Sequence, residues 1–179
     1  TVQVSTAEGR INTYTVERLS TGDTKRTNTA PSGLTTVTRI GTNGTTTTTS
    51  PDGTITTSTE GPDPRFGMQA PITTSMTIKT PGGKIYSLSE GRTVSLSDAN
   101  NPLSIITMTD TTTVNGKVFT SLYDASLKKI TATTPVGRKR YTLLDTKGRV
   151  SQEQTQGLNA VSYGYDDKGR LISITEGSR

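Results

Sequence analysis

Most enzyme sites draw on a short set of side chains, and this 179-residue chain lacks two of them, having neither His nor Cys. That removes disulfide frameworks, thiolate nucleophiles, thiolate or imidazole metal sites, and the usual Ser-His-Asp and Cys-His constellations. Carboxylates remain. Asp166 and Asp167 are adjacent, so on an extended strand they face opposite ways, and the first reads better as a turn former than as half of an acid–base pair. Asp110, Asp124 and Asp145 are far apart in sequence and lack the one-three-five spacing of a calcium loop. Tyr123, Tyr141, Tyr163 and Tyr165 could stack on sugar rings, but at repeat-fixed positions Tyr more often fills the space between hairpins while its hydroxyl finds a partner. Arg149 and Arg170 could bind anions, but at matching repeat positions they fit better as partners of carboxylates or of a neighbouring Tyr ring. These side chains define no catalytic, cofactor or metal site.

Charge adds little. Lys and Arg number 20 against 15 Asp and Glu, a net +5 with a pI near 9.6, a balance that can suit nucleic acid or an anionic surface. The basic residues, however, are spread from Arg10 to Arg179, with one tight cluster at Arg138, Lys139 and Arg140. Six Tyr and two Phe give few platforms for stacking single strands, so nucleic acid is not an expected partner. No apolar run approaches the ~18 residues of a membrane span. The chain starts at Thr1 without a basic-then-apolar leader, which fits a processed chain or an internal piece of a longer one.

The elements that must position these residues follow from composition. The chain holds 39 Thr and 17 Ser, only 28% hydrophobic residues and 4% aromatic, with a mean hydropathy of −0.51. An ordinary globular chain is roughly 45–50% apolar with Gly counted, well above this chain even when its 18 Gly are added, so the alternatives are disorder or a β structure with a thin core. Thr decides for β, because its branched Cβ favours a pleated surface, whereas disordered chains are enriched in Pro, Glu, Ser, Gln and Lys. No window carries the helical apolar spacing over three turns. Val161, Tyr163 and Tyr165 share one strand face, Ile172 and Ile174 share another, and Asp166-Asp167-Lys168-Gly169 between them reads as a type I turn closed by a glycine bulge. Gly169 should therefore have positive φ. The expected fold is all-β: repeated antiparallel hairpins in one continuous spiralling sheet.

Repetition supports this. Asp145-Thr146-Lys147-Gly148-Arg149-Val150 matches Asp166-Asp167-Lys168-Gly169-Arg170-Leu171 at an offset of 21 residues. Tyr123-Asp124 lies 21 further upstream, with Leu127 where the turn glycine belongs, so its turn must differ. A second ladder, Gly137, Gly157 and Gly177, runs at 20. Pro31-Ser32-Gly33, Pro51-Asp52-Gly53 and Pro81-Gly82-Gly83 are further turn signals. Their uneven spacing suggests a Pro/Gly insertion near 61–71, of which 61–67 reads as a loop crossing between sheet segments, because its two prolines remove ladder donors. The run Thr45–Thr49 fits either a solvated strand or a loop.

Tyr163-Gly164-Tyr165-Asp166-Asp167-Lys168-Gly169-Arg170-Leu171 closely resembles the YD repeat of the RHS family: Tyr-Asp, two variable residues, Gly-Arg-Leu, then about nine residues to a glycine, here Gly177. The copy at Leu144-Asp145 has Leu for Tyr, and the copy at Tyr123-Asp124 lacks Gly-Arg. Recognisable repeats thus cover 115–179, and 1–114 read as degenerate Thr-rich repeats of the same type. The resemblance implies a non-enzymatic segment of a β-shell that encloses or displays a toxin or effector domain, secreted or at the cell surface of a bacterium. Its partners would be neighbouring repeats or further chain of the same protein, an encapsulated toxin domain, or further copies in a homo-oligomer or fibre formed through open sheet edges. Such shells also carry an aspartyl autoprotease; Asp63-Pro64 is the one Asp-Pro here and its neighbours do not match, so that activity is not carried over. The alternative from a different class is a carbohydrate- or surface-binding β-module of an adhesin or extracellular fibre.

Overall fold

A computed structural model describes residues 1–177. All regular structure among them is β, in fifteen strands whose order in one antiparallel sheet follows their order in the chain. Two compact units are distinguished, one of residues 1–62 and 67–89, the other of residues 63–66 and 90–179.

The first unit contains β1 (Val2–Ser5), β2 (Ile11–Arg18), β3 (Thr24–Thr29), β4 (Thr35–Ile40), β5 (Thr45–Thr49), most of β6 (Ile55–Asp63), β7 (Gly67–Lys79) and the start of β8 (Ile85–Leu96). The Thr45–Thr49 run is a strand, paired on both sides. Its threonines use both faces: Thr38 and Thr48 hydroxyls meet at 3.1 Å on one, Thr45 and Thr59 at 3.3 Å on the other. Such cross-strand pairs are the units that stabilise a sheet without a core.

Residues 61–67 do not form a crossing loop. Gly61, Pro62 and Asp63 end β6, Gly67 starts β7, and only 64–66 turn between them. The pairing of β5 with β6 stops at Thr45 opposite Thr59, followed by a bond from Glu60 N–H to the Gly44 carbonyl. Pro62 therefore overhangs the end of β5, where a missing ladder donor costs nothing on that side.

The second unit contains the rest of β8, then β9 (Ile105–Val114), β10 (Lys117–Asp124), β11 (Lys129–Thr133), β12 (Lys139–Leu144), β13 (Val150–Thr155), β14 (Val161–Tyr165) and β15 (Leu171–Glu176). As the repeats require, β12 pairs with β13 and β14 with β15 as successive antiparallel hairpins. Alternate connections of such a meander lie at the same edge. One edge of this unit carries the turns near 125–128, 145–149 and 166–170, the other those at 134–138 and 155–158. A period of about 21 residues is thus two strands and two turns, and the two interleaved ladders of the sequence are the two edges.

One five-residue turn serves most hairpins. The N–H of its first residue bonds the fifth carbonyl, and the N–H of a glycine in fourth place bonds the first carbonyl; this occurs at Thr6–Arg10, Leu19–Asp23, Ala30–Leu34, Ser50–Thr54 and Thr80–Lys84, and again at Thr134–Arg138, Asp145–Arg149 and Asp166–Arg170. The fourth residue must be left-handed: Gly148 has φ 78° and Gly169 φ 82°. Where Leu127 replaces that glycine the turn differs, and Lys128 takes the left-handed position at φ 48°. A left-handed L-residue costs roughly 1–2 kcal/mol, with branched side chains at the upper end. Gly148→Val should therefore lower the urea midpoint by the equivalent of about 2 kcal/mol with an unchanged slope.

No hydrophobic residue among the described residues is buried; only Gly61 and Asp63 are. The accessible area of 12012 Å² exceeds the about 8,400 Å² expected of a packed protein of this mass. In the second unit both faces mix apolar and polar residues. Register places Phe119, Tyr123, Ile130, Ala132 and Val161 with Thr112, Thr142 and Glu153 on one, and Leu122, Tyr141 and Leu143 with Thr111, Thr120, Thr131 and Gln152 on the other.

Candidate functional site

The signature residues converge on one edge of the second unit. At the 145–149 turn, Asp145 Oδ1 accepts the N–H groups of Lys147 (2.8 Å) and Arg149 (2.9 Å), while Oδ2 accepts Arg149 Nε at 2.7 Å. The 166–170 turn repeats this: Asp166 accepts Lys168 N–H, Arg170 N–H and Arg170 Nε at 3.0, 2.8 and 2.7 Å. Asp124 caps its divergent turn through Ser126 N–H and hydroxyl and Leu127 N–H. Each aspartate holds its own turn closed, and Asp145 and Asp166 also fix the arginine that follows them.

Arg149 also reaches the next repeat. Its guanidinium lies 4.2 Å from the centroid of the Tyr165 ring, and its Nη1 comes within 3.4 Å of where a Cβ on Gly169 would stand. The Tyr165 hydroxyl donates to the Val150 carbonyl at 2.8 Å, so ring and arginine clamp two hairpins together. Arg170 pairs with Asp166 but stays 73% exposed. Leu171 is exposed. At the opposite edge Gly137, Gly157 and Gly177 all have positive φ, at 79°, 86° and 59°.

Two constellations depend on register. Arg140 bonds one oxygen of Glu153 at 2.5 Å, and the Tyr163 hydroxyl donates to the other at 3.2 Å. Burial, then the Glu153 charge, pushes the Tyr163 phenol upward. The second constellation is the buried Asp63. It accepts Arg65 N–H (2.8 Å), Phe66 N–H (3.3 Å) and Arg92 Nη1 (2.9 Å), and Arg92 Nε bonds Asp110 at 2.5 Å. Arg65 lies 4.8 Å from the Phe66 ring centroid. Burial alone would raise the Asp63 carboxyl, but the backbone donors and Arg92 outweigh it, and the net shift is downward. Arg92 is held more firmly protonated, first by Asp110 and then by Asp63.

The turn aspartates shift the same way. The Arg149 N–H lowers Asp145, the Arg170 N–H and guanidinium lower Asp166, and the Ser126 hydroxyl lowers Asp124. A carboxyl depressed in the folded state contributes stability that is complete above its unfolded value of about 3.9 and is lost as pH falls through the folded value. Melting followed by circular dichroism should be level from neutral pH to about 5 and fall below about 4. Combining Asp145→Asn and Asp166→Asn should flatten that acid limb.

The arrangement performs turn formation and strand-to-strand fastening. Each signature carboxylate is spent on a turn, Asp145 and Asp166 on an arginine as well, and no group of three or more potential metal ligands occurs among the described residues. No helix there is long and apolar enough to cross a membrane. The geometry defines an all-β repeat protein built as one sheet. No protein-family model matches the sequence, and no curated protein matches it.

Proposed function

We propose that the chain is a non-enzymatic structural segment of an RHS/YD-repeat protein, contributing strands to a β-shell that encloses or displays a toxin or effector domain, outside or on the surface of a bacterial cell. The observation that carries this reading is the clamp between repeats: Arg149, fixed by Asp145 in one turn, lies over Tyr165 of the next hairpin. The signature residues thus fasten neighbour to neighbour, the task that lets stacked repeats stand without a core of their own. Neighbouring repeats and the enclosed domain are then its partners. Electron microscopy of the full gene product is the test. A hollow wall around separate density is expected, and two sheets packed face to face would sink the reading.

The alternative, a carbohydrate-binding module, requires tyrosine rings offered to solvent. Tyr163 and Tyr165 are half-buried and use their hydroxyls on Glu153 and Val150. A glycan array should show no binder; a glycan whose binding disappears with Tyr163→Ala would replace the structural reading.

A further inference from the structure

One face of the second unit carries a depression whose origin is legible in the register. A row across β9 to β13 reads Asp110, Ser121, Ala132, Arg140, Thr155. Adjacent strands are about 4.8 Å apart, so two small side chains form a floor between charged groups on strands roughly 14 Å apart. The neighbouring row adds Phe119, 40% exposed, and the 134–138 turn adds Arg138. The resulting cavity has a volume of about 460 Å³ and a mainly apolar lining, within the roughly 300–1,000 Å³ of small-molecule sites.

We propose that this depression binds an amphipathic anion: an apolar aromatic body of two or three rings bearing a carboxylate or sulfonate. The apolar floor and the Phe119 ring face the body. The charge preference follows from what is already neutralised. Asp110 is engaged by Arg92. Arg140 gives one donor group to Glu153 yet stays 58% exposed, and Arg138 has no ion-pair partner among the described residues. With Asp110 and Arg140 already paired, the site carries excess positive charge at its Arg138 end and an apolar floor beside it. The proposal stands apart from the shell reading, because it concerns one face of these five strands whatever they enclose.

The probes are 8-anilinonaphthalene-1-sulfonate and its uncharged analogue N-phenyl-1-naphthylamine, titrated by fluorescence into the whole chain. The sulfonate should saturate at one per chain. Ala132→Phe suits a strand and fills the floor, so it should abolish binding of both probes while the melting temperature holds or rises. Arg138→Glu should weaken the sulfonate roughly tenfold and leave the neutral probe unchanged. Binding to Ala132→Phe at wild-type strength, or a sulfonate titration indifferent to Arg138→Glu, overturns the proposal.

Discussion

Replacing Arg92 by Leu should cost about 3 kcal/mol of unfolding free energy at pH 7, within the range for breaking a buried ion pair by removing one partner, and clearly less near pH 3. The reason is Asp63, whose side chain is 2% exposed. Without Arg92 the carboxylate keeps the N–H groups of Arg65 and Phe66, and Arg65 Nε at 3.5 Å, but loses its charge-assisted bond, and Asp110 loses its partner too. An uncompensated charge stays in a site water barely reaches. The sign with pH follows from linkage. In the wild type Asp63 is depressed, so its contribution is whole above about pH 3.9 and disappears as the group protonates on acidification. In the variant burial meets less opposition, the carboxyl rises relative to wild type, and protonation relieves the penalty at a higher pH. The two stability curves therefore converge as pH falls. Urea unfolding at both pH values measures this; an equal loss at each would assign the effect to packing of the Arg92 stem instead. Adding Asp63→Asn to Arg92→Leu should recover part of the loss, because the stranded charge is then gone.

Tyr165→Ala should cost about 2 kcal/mol, less than the roughly 3–5 kcal/mol of a core aromatic because the ring is half-buried. Three contributions are lost together: ring contact area, the bond from its hydroxyl to the Val150 carbonyl, and the stack beneath Arg149. Tyr165→Phe separates them, keeping ring and stack and losing about 1 kcal/mol for the hydroxyl. The distribution of damage tells more than its size. In a sheet whose strands contact only their neighbours, stability is a sum of local and nearest-neighbour contributions. Amide exchange should accelerate in β13, β14 and β15 and remain as in the wild type in β1 to β5. Uniform acceleration along the chain would mean one cooperative unit and would remove the basis for treating repeats as separately fastened.

What was legible in the sequence is what lies within a few residues. Asp166 and Gly169 announced their turn, because an aspartate that accepts N–H groups ahead of it and a glycine at positive φ are local requirements. The 21-residue offset was legible for the same reason, as every second turn repeats that chemistry. The Thr45–Thr49 run resisted, since five identical residues carry no alternation to mark a face. Residues 61–63 form strand where the prolines of 61–67 suggest a loop, because Pro62 lies past the end of one neighbouring strand and forfeits no ladder bond to it. The Asp63, Arg92, Asp110 cluster joins residues 29 and 18 apart, and the bonds of Glu153 to Arg140 and Tyr163 span 13 and 10. Only strand register brings these together.

The sheet's exposed faces also bear on how its stability responds to temperature. Unfolding a globular domain raises the heat capacity by roughly 12–15 cal/mol/K per residue, chiefly because apolar surface becomes wet. Here no hydrophobic residue among the described residues is fully buried, while each parted strand exposes amides and hydroxyls, whose hydration lowers the heat capacity. The two contributions oppose each other from a small apolar base. The chain's stability curve should be correspondingly shallow, with a cold-denaturation limit far down, and a calorimetric heat-capacity change as large as a globular domain's would contradict this.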